Sequence, residues 1–128
     1  MQGLHLTADL SACRCAPGWL TDADLLGRRC LLAVRAAGLQ AVAQLFHTFD
    51  ATAQGPGGVT ATVLLAESHL CVHTWPEQSA VTLDVYVCNF GADHSAQAHT
   101  LMATLTALFE PGHVASQCWQ RGAHSALG

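Results

Sequence analysis

Apolar and polar residues alternate near the start of the chain with the period of a β-strand. Between residues 3 and 10 every second position is apolar, namely Leu4, Leu6, Ala8 and Leu10. Because strand residues at i and i+2 share a face, this alternation predicts a strand with one buried face. The Cys-Arg-Cys-Ala-Pro-Gly segment that follows predicts a turn.

Two other segments have the spacing of amphipathic helices. Residues 21–37 predict a helix in which Thr21 and Asp24 form a capping box and Gly38 ends the last turn. Its apolar stripe is Leu26, Cys30, Ala33 and Ala37. Residues 95–109 predict a second helix, which Pro111 and Gly112 stop. Its apolar stripe is Ala98, Leu101, Met102, Leu105 and Leu108.

The chain between the helices is rich in apolar and β-branched residues, and it predicts strands over 40–49, 59–66, 70–74 and 80–88. Gly-Pro-Gly-Gly at 55–58 predicts a turn that closes a hairpin, and residues 113–120 predict a last strand. The order β-α-β-β-β-β-α-β predicts an α+β two-layer sandwich, mainly an antiparallel sheet with helices on one face. A length of 128 residues predicts one domain over 1–128.

Composition narrows the function. Charged residues are 11% of the chain and the formal net charge is -4, which argues against nucleic-acid and membrane-surface partners. The chain has no lysine, which excludes a lysine-bound pyridoxal phosphate (PLP) and a P-loop NTPase site. Without a long apolar run or a basic, signal-like N-terminus, we expect a cytoplasmic protein whose six cysteines form no disulfide framework.

Reactive side chains are densest over residues 67–77. His69 and His73, with His47 or Cys71 as further ligands, suggest a zinc site, but no Cys-x-x-Cys pair supports it and we expect no metal. Ser68 lacks the glycines of a hydrolase nucleophile elbow. Taken singly, Ser68 and His69 also suit a polar bend, and His73 suits a hydrogen-bonded core position.

Three motifs together are more specific than any of these residues alone. They are Ala66-Glu67-Ser68-His69-Leu70, His73-Thr74-Trp75-Pro76-Glu77 and Asp84-x-x-x-Cys88. In these motifs, and over nearly its whole length, the chain resembles the bacterial and archaeal S-adenosylmethionine decarboxylase proenzymes, which are self-cleaving and pyruvoyl-dependent. The resemblance implies conversion of S-adenosylmethionine to the decarboxylated aminopropyl donor used in polyamine (spermidine) biosynthesis. It also implies a homodimer with sites near the interface.

The resemblance assigns the self-cleavage to four residues. Ser68 Oγ would attack the Glu67 carbonyl, and β-elimination would leave fragments 1–67 and 68–128 with a pyruvoyl group at position 68. That group would form a Schiff base with the substrate amine, replacing the PLP that a lysine-free chain cannot anchor. His73 matches the processing base. Thr60 lies where the family has an accessory serine and keeps the hydroxyl.

The same resemblance assigns the substrate chemistry. Cys88 matches the residue that donates a proton after carbon dioxide leaves, and Glu77 matches the carboxylate that binds the ribose hydroxyls. Phe49, with Phe46, falls where an aromatic ring would stack on adenine. Alone, each residue would equally suit a buried cysteine, a solvated carboxylate or a core phenylalanine.

The chain also departs from the family pattern beside these residues. It has Gln78-Ser79 after the glutamate and Val87-Cys88-Asn89 around the cysteine, where the family has Gly-Tyr and Thr-Cys-Gly. One alternative is therefore a pyruvoyl-dependent L-arginine or L-ornithine decarboxylase, with Asp84, Glu77 or Asp50 meeting the distal cation. A second alternative is a non-cleaving binding module or zinc-binding protein.

Overall fold

The computed structural model describes residues 1–122 and consists of a six-stranded sheet with helices against it. The strands are β1 (Gln2–Ser11), β2 (Ala41–Thr48), β3 (Val59–Leu65), β4 (Ser68–Trp75), β5 (Ala80–Cys88) and β6 (His113–Gly122). The helices are α1 (Gly18–Thr21), α2 (Ala23–Ala36) and α3 (Ser95–Phe109), and a 3-10 turn spans Pro76–Gln78. Among the described residues no helix has the length and apolar character needed to cross a membrane.

The strands lie in the order β2-β3-β4-β5-β1-β6, and every neighbouring pair is antiparallel. The middle of the chain runs strand to adjacent strand, and the first strand then inserts between β5 and β6. The predicted α+β sandwich with an antiparallel sheet is confirmed. One extra element, the single-turn helix α1, changes the predicted order of elements to β-α-α-β-β-β-β-α-β.

The two faces of the sheet differ in polarity because strand side chains alternate. One face packs against α2 and α3, and its apolar residues are almost fully buried. This helix-covered face includes Leu4, Leu6, Ala8, Leu10, Val63, Leu70, Val72, Leu83 and Val85. The other face carries no helix in the described chain, and we call it the open face. The predicted alternation of β1 is confirmed, since all four apolar positions are buried.

The start of the first long helix differs from the prediction. Thr21 is not its N-cap; Thr21 Oγ1 donates to Pro17 O at 3.0 Å and belongs to α1. The N-cap of α2 is Asp22, whose carboxylate accepts from Leu25 N at 3.1 Å. Pro17 and Gly18 begin a separate helical turn that includes Thr21. The N-cap of α2 is therefore the next residue, Asp22. The predicted apolar stripe of this helix is buried as expected.

The Gly-Pro-Gly-Gly segment lies between β2 and β3, which pair antiparallel, so the predicted hairpin is confirmed. The connection runs over residues 49–58, and Phe49 N donates to Gly58 O at 2.9 Å where the strands separate. A Cβ on Gly57 would collide with the Phe49 carbonyl, and one on Gly58 with the Thr74 carbonyl. These glycines therefore let a long loop lie close over the end of the sheet.

Candidate active site

A two-residue turn, Ala66-Glu67, connects β3 to β4 and places Ser68 at the first position of β4. Leu65 pairs with Ser68 across this turn. Glu67 has a φ of 52°, in the left-handed region that glycine or asparagine normally occupies. A non-glycine residue there costs roughly 1–2 kcal/mol. The peptide bond between Glu67 and Ser68 thus follows a strained residue.

Ser68 and Cys88 lie together at this end of the sheet. Ser68 Oγ accepts a hydrogen bond from the backbone N–H of Cys88 at 2.9 Å. Cys88 is the last residue of β5, its side chain is buried, and its carbonyl is 3.0 Å from His94 Nδ1. We call Glu67, Ser68 and Cys88 the Ser68 end of the sheet.

Thr60 and His73 form a second polar pair. Thr60 Oγ1 and His73 Nδ1 are 2.8 Å apart, and the two residues are direct partners in the β3–β4 register. His73 is five positions beyond Ser68 on the same strand. A strand rises about 3.3 Å per residue, so their Cα atoms are about 16 Å apart. One chain therefore does not bring the predicted processing base to Ser68.

The pair of Thr60 and His73 opens onto a cavity of about 490 Å³, which is within the range of small-molecule sites. Phe49, Trp75 and Glu77 also line it. It holds two carboxylates, Glu77 and Asp50, beside two large aromatic side chains. We call this region the His73 end of the sheet. Its chemistry suits a ligand with a flat ring and several hydrogen-bond donors.

The loop over residues 49–58 supplies much of this cavity, which sequence reasoning missed. Thr52, Gln54 and Pro56 contribute to the lining along with the backbone of the two glycines that follow. The glycine-rich composition of residues 55–58 permits this close approach of the backbone, but as a sequence pattern it predicts only a turn.

Phe46 does not share this cavity. Its position in β2 pairs with the buried Ala61 on the helix-covered face, and its ring occupies the space that a Cβ on Gly27 would need. Phe46 therefore packs between β2 and α2 as part of the core, whereas Phe49, beyond the end of the strand, reaches the cavity. The prediction that Phe46 stacks on a substrate ring is wrong for this arrangement, because strand alternation turns it to the opposite face.

A third polar cluster lies on the open face between the two ends. Asp84 Oδ1 is 2.8 Å from His5 Nε2 and 2.7 Å from His69 Nε2. Sequence reasoning considered Asp84 for a substrate cation and His69 for zinc, but it did not connect them to His5. The contact between His5 and Asp84 spans 79 positions of sequence, so only the strand register brings these residues together.

Comparisons with known proteins identify the family of this chain. The sequence model described as S-adenosylmethionine decarboxylase matches residues 4–122. The chain belongs to this family. An S-adenosylmethionine decarboxylase proenzyme from Aquifex aeolicus is 35% identical over 126 residues, covering 94% of this chain and 81% of the relative. One from Acidithiobacillus ferrooxidans is 33% identical, covering 98% and 86%.

A solved structure gives the same result for the fold. The crystal structure of the adenosylmethionine decarboxylase from Aquifex aeolicus matches with a TM-score of 0.80 at 30% sequence identity. The match covers 97% of this chain and 93% of that one. The resemblance found in the sequence motifs is therefore confirmed, and these comparisons support neither the arginine or ornithine decarboxylase nor the binding module.

The zinc ligands considered from sequence are not assembled in this member of the S-adenosylmethionine decarboxylase family. Within residues 1–122 the one group of three potential ligands is His5, His69 and Asp84, with ligand atoms within 4.8 Å of one another. His47, Cys71 and His73 are outside it. His69 and His73 share the open face but are two strand repeats apart, about 13 Å along the strand.

Three of the five cysteines other than Cys88, namely Cys13, Cys15 and Cys30, are buried. Burial raises the pKa of the Cys30 thiol to about 12, so that this side chain stays protonated in the core. Burial also raises the pKa of Cys13 and of Cys15. These three residues act as small apolar side chains, as the sequence suggested. Cys71 is partly exposed near Thr62 Oγ1, at 3.2 Å, and Cys118 is exposed.

Proposed function

We propose that this chain is a self-processing, pyruvoyl-dependent decarboxylase that acts on S-adenosylmethionine and releases carbon dioxide. The observation that carries the proposal is the strained turn at Glu67, with Ser68 beside Cys88, in a chain that belongs to the S-adenosylmethionine decarboxylase family. The product would be the aminopropyl donor for polyamine synthesis. A cytoplasmic location stays a prediction.

Self-cleavage begins at Ser68. Its Oγ adds to the Glu67 carbonyl carbon, the Glu67–Ser68 amide bond breaks, and an ester to Oγ forms. Removal of the Ser68 α-proton then expels Glu67 as a free carboxylate that keeps the former Oγ. Hydrolysis of the remaining enamine by water releases ammonia and leaves the pyruvoyl group at position 68. The φ of 52° at Glu67 favours this sequence, because breaking the bond releases the strain.

In the mature protein the pyruvoyl group supplies a carbonyl that can withdraw electrons from the substrate's α-carbon. The residues of this chain then have distinct tasks. Cys88, buried beside position 68, would deliver a proton to the substrate carbon. Glu77 would accept hydrogen bonds from the ribose hydroxyls, and Phe49 would stack on the adenine in the 490 Å³ cavity.

These residues meet only if two chains share each site. Ser68 and Cys88 lie at one end of the sheet, and Thr60, His73, Glu77 and Phe49 at the other, about 16 Å away along β4. We infer a homodimer in which two open faces pack together with opposite strand directions. A two-fold axis would then set the Ser68 end of each chain against the His73 end of its partner, which forms two equivalent sites.

Apolar side chains on the open face support this arrangement. Leu45 is 73% exposed, Leu64 48%, Trp75 39% and Trp119 52%, and the strand register puts all four on that face. A sheet face with such exposed side chains normally packs against another surface.

Intact-mass spectrometry tests the self-cleavage. We expect two fragments that divide between Glu67 and Ser68, with the second blocked by a pyruvoyl group. The same sample should release carbon dioxide from S-adenosylmethionine and none from L-arginine or L-ornithine. A chain that stays whole and inactive would contradict the proposal.

Replacing Glu67 with glycine should slow self-cleavage. Glycine adopts a positive φ without strain, so the Glu67→Gly precursor has less to gain from bond breakage. A strain of roughly 1–2 kcal/mol, released in the transition state, corresponds to cleavage about fivefold to thirtyfold slower. The rate is measured by following the whole chain on gels after rapid expression. Ala66→Gly, in the same turn without a positive φ, is the matched control, and equal rates for Glu67→Gly and wild type would contradict the role of strain.

Glu77→Gln should weaken substrate binding without affecting self-cleavage. The change removes the charge from a carboxylate that would hold two hydroxyls, and hydrogen bonds to charged groups contribute about 1.5–3 kcal/mol. We therefore expect the KM for S-adenosylmethionine to rise by roughly tenfold to a hundredfold, with a much smaller change in kcat. Glu110→Gln, which changes a carboxylate at the end of α3 outside the cavity, is the control. An unchanged KM would remove Glu77 from the ribose site.

A further inference from the structure

Asp84 is the centre of a hydrogen-bonded chain that crosses four strands of the open face. Arg121 of β6 is 3.0 Å from His5 Nδ1 on β1, and His5 Nε2 is 2.8 Å from Asp84 Oδ1 on β5. His69 Nε2 of β4 reaches the same oxygen at 2.7 Å. Because a guanidinium can only donate, His5 Nδ1 must accept, and the His5 proton is on Nε2, where it donates to Asp84.

Ring packing fixes the His69 side chain as well. His69 stacks on Tyr86 with centroids 5.8 Å apart and planes at 28°. His5 meets both rings edge-on, at 6.2 Å from His69 and 5.9 Å from Tyr86. Tyr86 in turn lies over Gly3, where an added Cβ would be 2.6 Å from its hydroxyl. The His69 imidazole is therefore held by a hydrogen bond at its tip and by aromatic contact on its face.

Self-cleavage would remove the hydrogen bond that holds Ser68, the residue before His69. Before cleavage, Ser68 is held by the turn to β3 and by the hydrogen bond from Cys88 N to its Oγ. The turn is cut when the bond after Glu67 breaks. The Oγ atom leaves with the Glu67 carboxylate, so the hydrogen bond from Cys88 is lost too. Position 68 then becomes a chain end, and the next side chain along β4 is that of His69.

We propose that Asp84 and His5 are positioning residues that hold His69, and through it the new chain end at position 68, in register beside Cys88 in the mature enzyme. The inference rests on the proposed function, since the anchor is needed only after cleavage. A chain end that moves by about 1 Å can lower a rate by roughly a hundredfold, because the reacting groups lose their alignment.

The same three side chains are not arranged as a metal site. A cation bound by His5 Nε2 would require the His5 proton on Nδ1, where it would face the N–H of Arg121 at 3.0 Å. Two donors would then point at each other. The Arg121 contact thus favours the hydrogen-bonded state, in which the carboxylate of Asp84 accepts from both imidazoles.

Two variants of Asp84 and one of Asp24 test the anchor in the full-length protein. Asp84→Ala removes the central acceptor, and Asp84→Asn retains an Oδ1 in the same place. Asp24→Ala is the matched control, an exposed carboxylate in the first turn of α2, away from the open face. For each variant we would measure cleavage by intact mass, kcat and KM by carbon dioxide release, and hydrogen exchange of the amides at 69–71.

We expect Asp84→Ala to cleave fully and carry a pyruvoyl group, with kcat roughly tenfold to a hundredfold lower and KM within about twofold of wild type. Amides 69–71 should exchange faster in this variant alone. Asp84→Asn should recover most of kcat, and Asp24→Ala should match wild type. A lower kcat with an unchanged KM indicates that the chain end at position 68 has lost its position. A general loss of the fold would also impair self-cleavage.

Other results would overturn the inference. An Asp84→Ala enzyme with wild-type kcat and exchange would show that no anchor is needed, and one that stays uncleaved would assign the cluster to the precursor. One equivalent of metal in the wild type, lost in Asp84→Ala, would replace the anchor with a metal site. If Asp84→Ala does not fold, His5→Ala takes its place as the variant that should lose kcat, and Asp84→Asn stays the conservative comparison. A wild type that neither cleaves nor decarboxylates would instead overturn the proposed function.

Discussion

Ser68→Ala should yield a single chain of full length with no decarboxylase activity. Alanine has no Oγ to add to the Glu67 carbonyl, so neither the ester nor the pyruvoyl group can form. The loss is complete rather than partial, because no other residue supplies the same atom at the strained turn. The fold should survive, since the change removes one hydrogen bond, that from Cys88 N, at a cost of about 1 kcal/mol.

Intact mass and carbon dioxide release measure both parts of this result, and thermal unfolding checks the fold. Ser116→Ala, at an exposed position of β6, is the matched control and should cleave as the wild type does. Carbon dioxide release from S-adenosylmethionine by an uncleaved Ser68→Ala protein would contradict a pyruvoyl mechanism. Cleavage of that variant at the same bond would show that a different nucleophile acts there.

Much of the fold could be predicted because its elements obey simple periods. The alternation of Leu4, Leu6, Ala8 and Leu10 predicts both the strand and its buried face, and all four residues are buried. The long helices follow from the spacing of their stripes. The helix cap at Asp22 could not be predicted as reliably, since Thr21 and Asp22 are both good caps and the neighbouring Pro17-Gly18 turn decides between them.

The candidate site was only partly accessible from sequence. The motif identifies Ser68, His73 and Cys88. It does not predict that Ser68 and His73 lie on one uninterrupted strand, β4. Once that strand is known, its rise of about 3.3 Å per residue separates them. A motif that is compact in sequence is therefore extended in space, and its two halves belong to different sites of a proposed dimer.

The Asp84 cluster was hidden for a different reason. Its members come from β6, β1, β5 and β4, and their register depends on β1 inserting between β5 and β6. No local pattern in the sequence specifies that insertion. Likewise Phe46 and Phe49 look equivalent in sequence, yet the end of β2 at Thr48 puts one in the core and the other at the cavity.

Two inactive variants should complement each other if sites are shared between chains. His73→Ala alone should remain uncleaved, because the base is missing from both sites of its dimer. Co-expression with Ser68→Ala would give mixed dimers. In these, one site combines Ser68 of the His73→Ala chain with His73 of the Ser68→Ala chain, and is complete. The other site lacks both groups.

We therefore expect cleavage to return on co-expression, and only in the His73→Ala chain. Different affinity tags on the two chains let mass spectrometry identify which one is cut, and double-tag purification isolates the mixed dimer. Its carbon dioxide release should approach half that of wild type, since one of its two sites is intact. Mixing the two proteins after separate folding, without exchange of chains, provides the control.

The co-expression result distinguishes cleavage by His73 of the same chain from cleavage by His73 of the partner chain. With about 16 Å between Ser68 and His73 along β4, cleavage within a single chain would require that strand to unfold. If the mixed dimer stays uncleaved while wild type cleaves, His73 must reach Ser68 of its own chain after such a rearrangement. If the His73→Ala chain is cut, each site takes its nucleophile from one chain and its base from the other, as two packed open faces would place them.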